Sequence, residues 1–96
     1  MSEVRVIARI QAREGKAQEL KPLLRGLLAP TRAEAGCKYY NLFESQYPGI
    51  FYFDEVWESQ AHLDKHAQSN HLKSTAAKLK DLVQAPPEVN ILKAIE

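Results

Sequence analysis

The chain has 96 residues, 26% of them charged, with 13 Lys and Arg against 12 Asp and Glu and a net charge of +1. That length supports one domain over 1–96 with a modest core, and that balance gives nucleic acid or an anionic membrane nothing to be drawn to. The single cysteine, Cys37, has no internal partner, no apolar run approaches the ~20 residues of a membrane helix, and no signal-peptide pattern opens the chain, so a cytoplasmic location is expected.

Val4, Val6, Ala8 and Ile10 alternate with Arg5, Ile7, Arg9 and Gln11, which predicts a first strand with one apolar face. Arg5 and Arg9 fall on the other face, where they are placed to meet Asp54 or acidic groups of a partner. Over 16–34 the period becomes helical, with Ala17, Leu20, Leu24, Leu27, Leu28 and Thr31 on one side. Pro22 is expected to kink this helix or mark a late start, and Pro30 to bend or break its last turn. Gly36 suits the C-cap.

Residues 37–44 read as a second strand, but both parities are mixed, so the pattern alone does not orient it. Pro48 and Gly49 fit a type II turn closing a hairpin. The third strand, 50–57, is Ile-Phe-Tyr-Phe-Asp-Glu-Val-Trp. Phe51, Phe53, Glu55 and Trp57 share one face and Ile50, Tyr52, Asp54 and Val56 the other. Neither face is polar throughout, so both are expected to be covered.

Ser59 is a good N-cap for a short helix to about residue 67, with Leu63, His66 and Ala67 turned inward. Ser69 or Asn70 caps another helix, striped by Leu72, Ala76, Leu79, Leu82 and Val83 and stopped by Pro86 and Pro87. Val89, Ile91 and Leu92 make a last strand ending near residue 94. The order β-α-β-β-α-α-β is that of an α+β, ferredoxin-like fold: a four-stranded antiparallel sheet with helices on one face. Ile7, Tyr52 and Val56 would then lie on a bare sheet face, and a homodimer through that face is expected.

Glu55-Val56-Trp57-Glu58-Ser59, then Ala61-His62-Leu63, His66 and Ser69-Asn70-His71-Leu72-Lys73, resemble the antibiotic biosynthesis monooxygenase family. The stretch Thr31-Arg32-Ala33-Glu34-Ala35-Gly36-Cys37, with Tyr40, is similar to its other signature, at the corner between helix and strand. The resemblance implies a dimeric α+β barrel with each pocket between sheet and helices. It also implies small monooxygenases that oxidise quinols or polyketide phenols without metal, flavin or haem, alongside haem-degrading members and an isomerase branch acting on a phosphorylated sugar derivative. The haem-degrading branch uses an Asn and a His where this chain has Ala8 and Ala76, so haem degradation is not expected. Some polyketide-oxidising members have an Asn where this chain has Phe53.

His66, on the apolar side of its helix, is the first candidate base, since an imidazole titrates near neutrality. His71, in the first turn of the next helix, is a second donor or neutral acceptor. Glu55 shares a face with aromatic residues and needs a partner there; His66 or Arg32 would supply one. Trp57, Phe53, Leu63 and Leu72 are expected to wall a flat ligand, with Asn41, Tyr39 or Tyr40 donating to its oxygen. His62 and His66 have metal-ligand spacing, but His62 is expected to turn outward, so no metal and no cofactor is expected. The reading is an O2-dependent oxidation of a small aromatic quinol or phenol. An isomerase or lyase on a phosphorylated metabolite would draw on Arg32 and Lys38, and a non-catalytic ligand-binding dimer is the third alternative.

Overall fold

The computed structural model describes residues 2–96. Its elements are β1 (Val4–Gln11), α1 (Ala17–Arg25), α2 (Leu28–Arg32), β2 (Cys37–Glu44), β3 (Ile50–Trp57), α3 (Gln60–Ala67), α4 (Asn70–Leu79) and β4 (Glu88–Leu92). The four strands form one antiparallel sheet in the order β2-β3-β1-β4. This is the ferredoxin-like arrangement that the periodicities predict.

The first helical stretch divides in two. Pro22 lies inside α1, and the break falls later, at Gly26 and Leu27. Pro30 sits in the first turn of α2, where its missing N–H costs nothing within that helix. The same missing donor leaves the Gly26 carbonyl without its partner one turn on, which weakens the helix at that point, although α1 continues through Pro22. Beyond it Thr31 N–H bonds to Leu27 at 3.1 Å and the chain resumes.

A second difference lies at the end of α4. The helical stripe extends to Leu82 and Val83, but the helix stops at Leu79. The carbonyls of Leu82 and Val83 accept instead from Arg13, through its backbone N–H at 2.8 Å and its Nε at 3.0 Å. Val83 forms a bridge to Ala12. Tying this segment to the end of β1 outcompetes another helical turn.

Burial alternates along β3, with Phe51, Phe53, Glu55 and Trp57 buried. Val6, Ala8 and Ile10 of β1 join them beneath Leu20, Leu24 and Leu79 of the helices and Leu27 at the break between α1 and α2. In β2 a register shift between Cys37 and Tyr39 swaps the parity, which sends Tyr40 and Leu42 to the helix side and Tyr39, Asn41 and Phe43 to the other. That shift is why the strand's pattern does not orient it. Gly49 takes φ +80°, with Ile50 N–H on the Tyr47 carbonyl at 3.4 Å, as the hairpin turn requires.

Among the described residues no helix covers the second sheet face. Ile7, Tyr52 and Val56 are half-buried there, and Tyr39, Phe43 and Leu92 are exposed. Arg5 donates to both Asp54 carboxylate oxygens at 3.2 Å across this face. Arg9 does not reach Asp54: it lies opposite Tyr52 and Glu88, donates to Gln11 Oε1 at 3.3 Å and stands 3.8 Å from the Glu88 carboxylate as an ion pair. Among the described residues, no helix is long and apolar enough to cross a membrane.

Candidate active site

Between the sheet and the helices lies a cavity of about 180 Å³. Val6, Ala8 and Ile10 form its floor, with Phe53 beside them; Leu24, Leu27, Leu63 and Leu72 form its roof, and the largely exposed Val89 of β4 also lines it. Its polar exceptions are Tyr40, Glu55 and His66.

Two caps fix the helices that carry the histidines. The Ser59 hydroxyl accepts from His62 N–H at 3.3 Å and starts α3, and the Ser69 hydroxyl accepts from Leu72 N–H at 3.4 Å and starts α4. His66, 5% exposed, is the buried side chain of α3. Its ring packs between Trp57, at a centroid distance of 4.7 Å, and Tyr40, at 5.6 Å edge-on. Tyr40 in turn stacks on Phe53 at 4.9 Å.

His66 Nδ1 lies 2.7 Å from Glu34 Oε2, and His71 Nε2 lies 2.9 Å from the same oxygen. An ionised carboxylate only accepts, so both ring nitrogens donate to it. For a neutral His66 this places the proton on Nδ1 and leaves Nε2, which has no protein partner among the described residues, as a lone-pair acceptor. A base whose tautomer is set by a carboxylate behind it is the arrangement that general-base chemistry uses.

Glu55 is buried on β3, and its Oε1 accepts from Trp57 Nε1 at 2.9 Å. It bonds neither His66 nor Arg32, the two partners expected from sequence. Burial raises the pKa of its carboxyl group above the ordinary range, and the Trp57 bond and the nearby His66 offset only part of that. Burial also pushes the Tyr40 phenol well up, with the Glu55 charge adding to it, so Tyr40 stays neutral and can donate. Cys37 is raised mainly by burial and by Glu34 and Glu55, which leaves it a thiol rather than a nucleophile.

The structure thus brings together His66, Glu55, Tyr40, Phe53, Leu63 and Leu72 at one cavity. Trp57 does not wall it; it is fully buried behind His66 and bonds Glu55. Asn41 lies on the opposite sheet face, where its Oδ1 accepts from Arg32 at 2.6 Å, and Arg32 also binds the Tyr40 carbonyl at 2.9 Å around the edge of β2. Neither borders the cavity. His71 stands on the far side of Glu34, where both open on an outer cleft with Lys65, Gln68, Ser69 and Asn70. His62 turns away to Ser59 Oγ, 2.7 Å from its Nδ1.

Glu34 is the site residue the sequence reading missed. It follows α2 in the turn before Gly36, inside the quoted corner signature, and only the fold brings it to His66 and His71, 32 and 37 positions away.

The fold is that of a small ferredoxin-like α+β protein with a pocket between sheet and helices, and the chain belongs to the antibiotic biosynthesis monooxygenase family, whose model matches residues 3–78. It is 36% identical to the Mycobacterium tuberculosis protein named "Putative monooxygenase Rv0793", over 99% of this chain and 94% of that one. The solved structure of Rv0793 superposes with a TM-score of 0.92, covering 99% of this chain and 97% of that one. PA3566 from Pseudomonas aeruginosa is also similar, with 32% identity, a TM-score of 0.92, and coverage of 100% of this chain and 97% of that chain. Bacillus subtilis "Putative monooxygenase YcnE" shares 31% identity over 85% of this chain and 87% of its own length.

Proposed function

We propose that the protein is a cofactor-independent monooxygenase that oxidises a one-ring phenol or quinol with O2, with His66 Nε2 as the base. The observation that carries this is His66, held through Nδ1 by Glu34 at 2.7 Å, bordering an otherwise apolar cavity of about 180 Å³. An apolar protein cavity of about 150 Å³ is large enough for benzene, so a single substituted ring matches this one.

The chemistry asks little of the protein. His66 Nε2 takes the phenolic proton. The phenolate gives one electron to O2, and the resulting radical and superoxide join at a ring carbon bearing hydrogen. The peroxide anion takes the proton back from His66. Loss of the ring C–H proton then breaks the O–O bond, leaving a quinone carrying one oxygen atom and a water carrying the other. No outside reductant enters the balance. The protein's part is to hold the anion, supply the Tyr40 hydroxyl as a donor to its oxygen, and exclude water.

The lining argues against a phosphorylated substrate. Arg32 is engaged with Asn41 and the Tyr40 carbonyl, and Lys38 with Glu3 at 2.6 Å; neither borders the cavity. We also propose that the helix-free sheet face pairs with a second copy across a two-fold axis, since Ile7, Tyr52, Val56 and Phe43 together form an apolar surface that water would otherwise cover.

The test is an oxygen electrode and a panel of one-ring phenols and hydroquinones. The expected result is O2 uptake equal to substrate consumed, with one atom of ¹⁸O2 in the quinone. Absence of enzyme-dependent uptake across the panel would overturn the proposal.

A further inference from the structure

We propose that Glu34, His66 and His71 also form a site for one divalent transition-metal ion of the zinc class, loaded from the outer cleft. Glu34 Oε2, His66 Nδ1 and His71 Nε2 all lie within 4.8 Å of one another, with the oxygen 2.7 and 2.9 Å from the two nitrogens. Tetrahedral ligands around an ion with bonds of about 2.0–2.1 Å stand roughly 3.3 Å apart, so each nitrogen must back away from Glu34 Oε2 by about half an ångström while the two ring nitrogens, now within 4.8 Å of each other, turn toward a shared centre. Two imidazoles and one carboxylate select zinc, cobalt or ferrous iron over calcium or magnesium, which prefer all-oxygen shells.

Two of the three ligands lie outside the cavity. Glu34 and His71 line the outer cleft with Gln68, Ser69 and Asn70, so an ion can arrive from solvent without crossing the apolar chamber, and water can fill its remaining positions. His66 borders the cavity and meets Glu34 through Nδ1. The ligands come from the turn after α2, from α3 and from the first turn of α4, and the Ser59 and Ser69 caps hold the last two helices in place.

Occupation has a chemical consequence. In the ion-free protein Nδ1 of a neutral His66 carries the proton. An ion on Nδ1 requires that nitrogen's lone pair, so the ring proton moves to Nε2; His71 likewise shifts its proton from Nε2 to Nδ1. No proton is lost overall when both rings begin neutral. His66 Nε2 is then a donor and can no longer accept a proton. The ion therefore switches the base off, a consequence that rests on the function proposed above, whereas the binding site does not.

Equilibrium dialysis with Zn²⁺, and ¹⁵N spectra of labelled histidine rings with and without it, test the inference without any substrate. One Zn²⁺ per chain is expected, with His66 Nε2 changing from lone-pair to N–H character. Glu34→Gln and, separately, the partly exposed His71→Ala each remove a direct ligand and are expected to weaken binding by at least about a hundredfold, the upper end of what loss of an outer-shell partner costs, while His62→Asn leaves it unchanged. No saturable binding to wild type, binding that survives both variants, or binding lost in His62→Asn would overturn the site. Zn²⁺ bound with no change at His66 Nε2 would overturn the switch. Loss of O2 uptake in the panel above bears on the function alone.

Discussion

Glu34→Gln is the most informative single substitution. The amide keeps the shape of the carboxylate but removes its charge from two short bonds, at 2.7 and 2.9 Å. The side chains of Glu34 and His66 are only 17% and 6% exposed, so solvent screens their bond little. A bond to a charged group contributes about 1.5–3 kcal/mol against about 0.5–1.5 for a neutral one, so the loss is roughly 1 kcal/mol per bond and about 2 in total. At about 4–8 °C per kcal/mol for a domain of this size, Tm should fall by about 10 °C. The protonated His66 loses about 1–2 kcal/mol of stabilisation, which lowers kcat/KM roughly 5–30-fold and leaves KM nearly unchanged. Thermal unfolding and O2 uptake on the same preparation read both effects. A variant with wild-type Tm and turnover within twofold of wild type would refute the role given to this carboxylate.

Three other outcomes follow from the structure. Because burial raises the folded pKa of Glu55, its protonated form favours the fold; that stability is complete below the unfolded carboxylate range and is lost as pH rises through the folded pKa. Glu55→Gln should therefore unfold at a higher Tm than wild type at pH 8 but not at pH 3.5, and equal Tm values at pH 8 would contradict it. Gly36 has φ +81°, and a Cβ there runs into the His62 ring, so Gly36→Ala should cost about 1–3 kcal/mol in urea unfolding. Val56→Lys, on the helix-free face opposite Arg5, should shift the sedimentation coefficient from dimer to monomer; a wild-type monomer at micromolar concentration would contradict the pairing.

Much of the fold was legible because periodicity reports burial directly. β1 and β3 show their faces in the sequence, and Ser59, Ser69, Pro48 and Gly49 mark the boundaries they form. The split at Gly26 was harder to place, since it depends on a carbonyl that Pro30 cannot reach rather than on the residue at the break. The orientation of β2 was hidden by one register shift, and with it the position of Asn41 on the far sheet face. The site was half legible. His66 follows from its place on the apolar side of α3, but its partner does not, because Glu55 beside it in the sheet turns to Trp57 and the distant Glu34 takes the imidazole. Local pattern identifies which face a side chain occupies; it says little about which of several carboxylates the packed helices bring within reach.

The central claim is that the imidazole at position 66 removes the substrate's proton. The most direct measurement is kcat/KM for His66→Ala, made below the variant's own Tm with a substrate the wild type oxidises. General bases contribute about 10²–10⁴-fold, so the variant should lose at least about a hundredfold while staying folded. A folded variant that oxidises the same substrate at the wild-type rate would contradict the account.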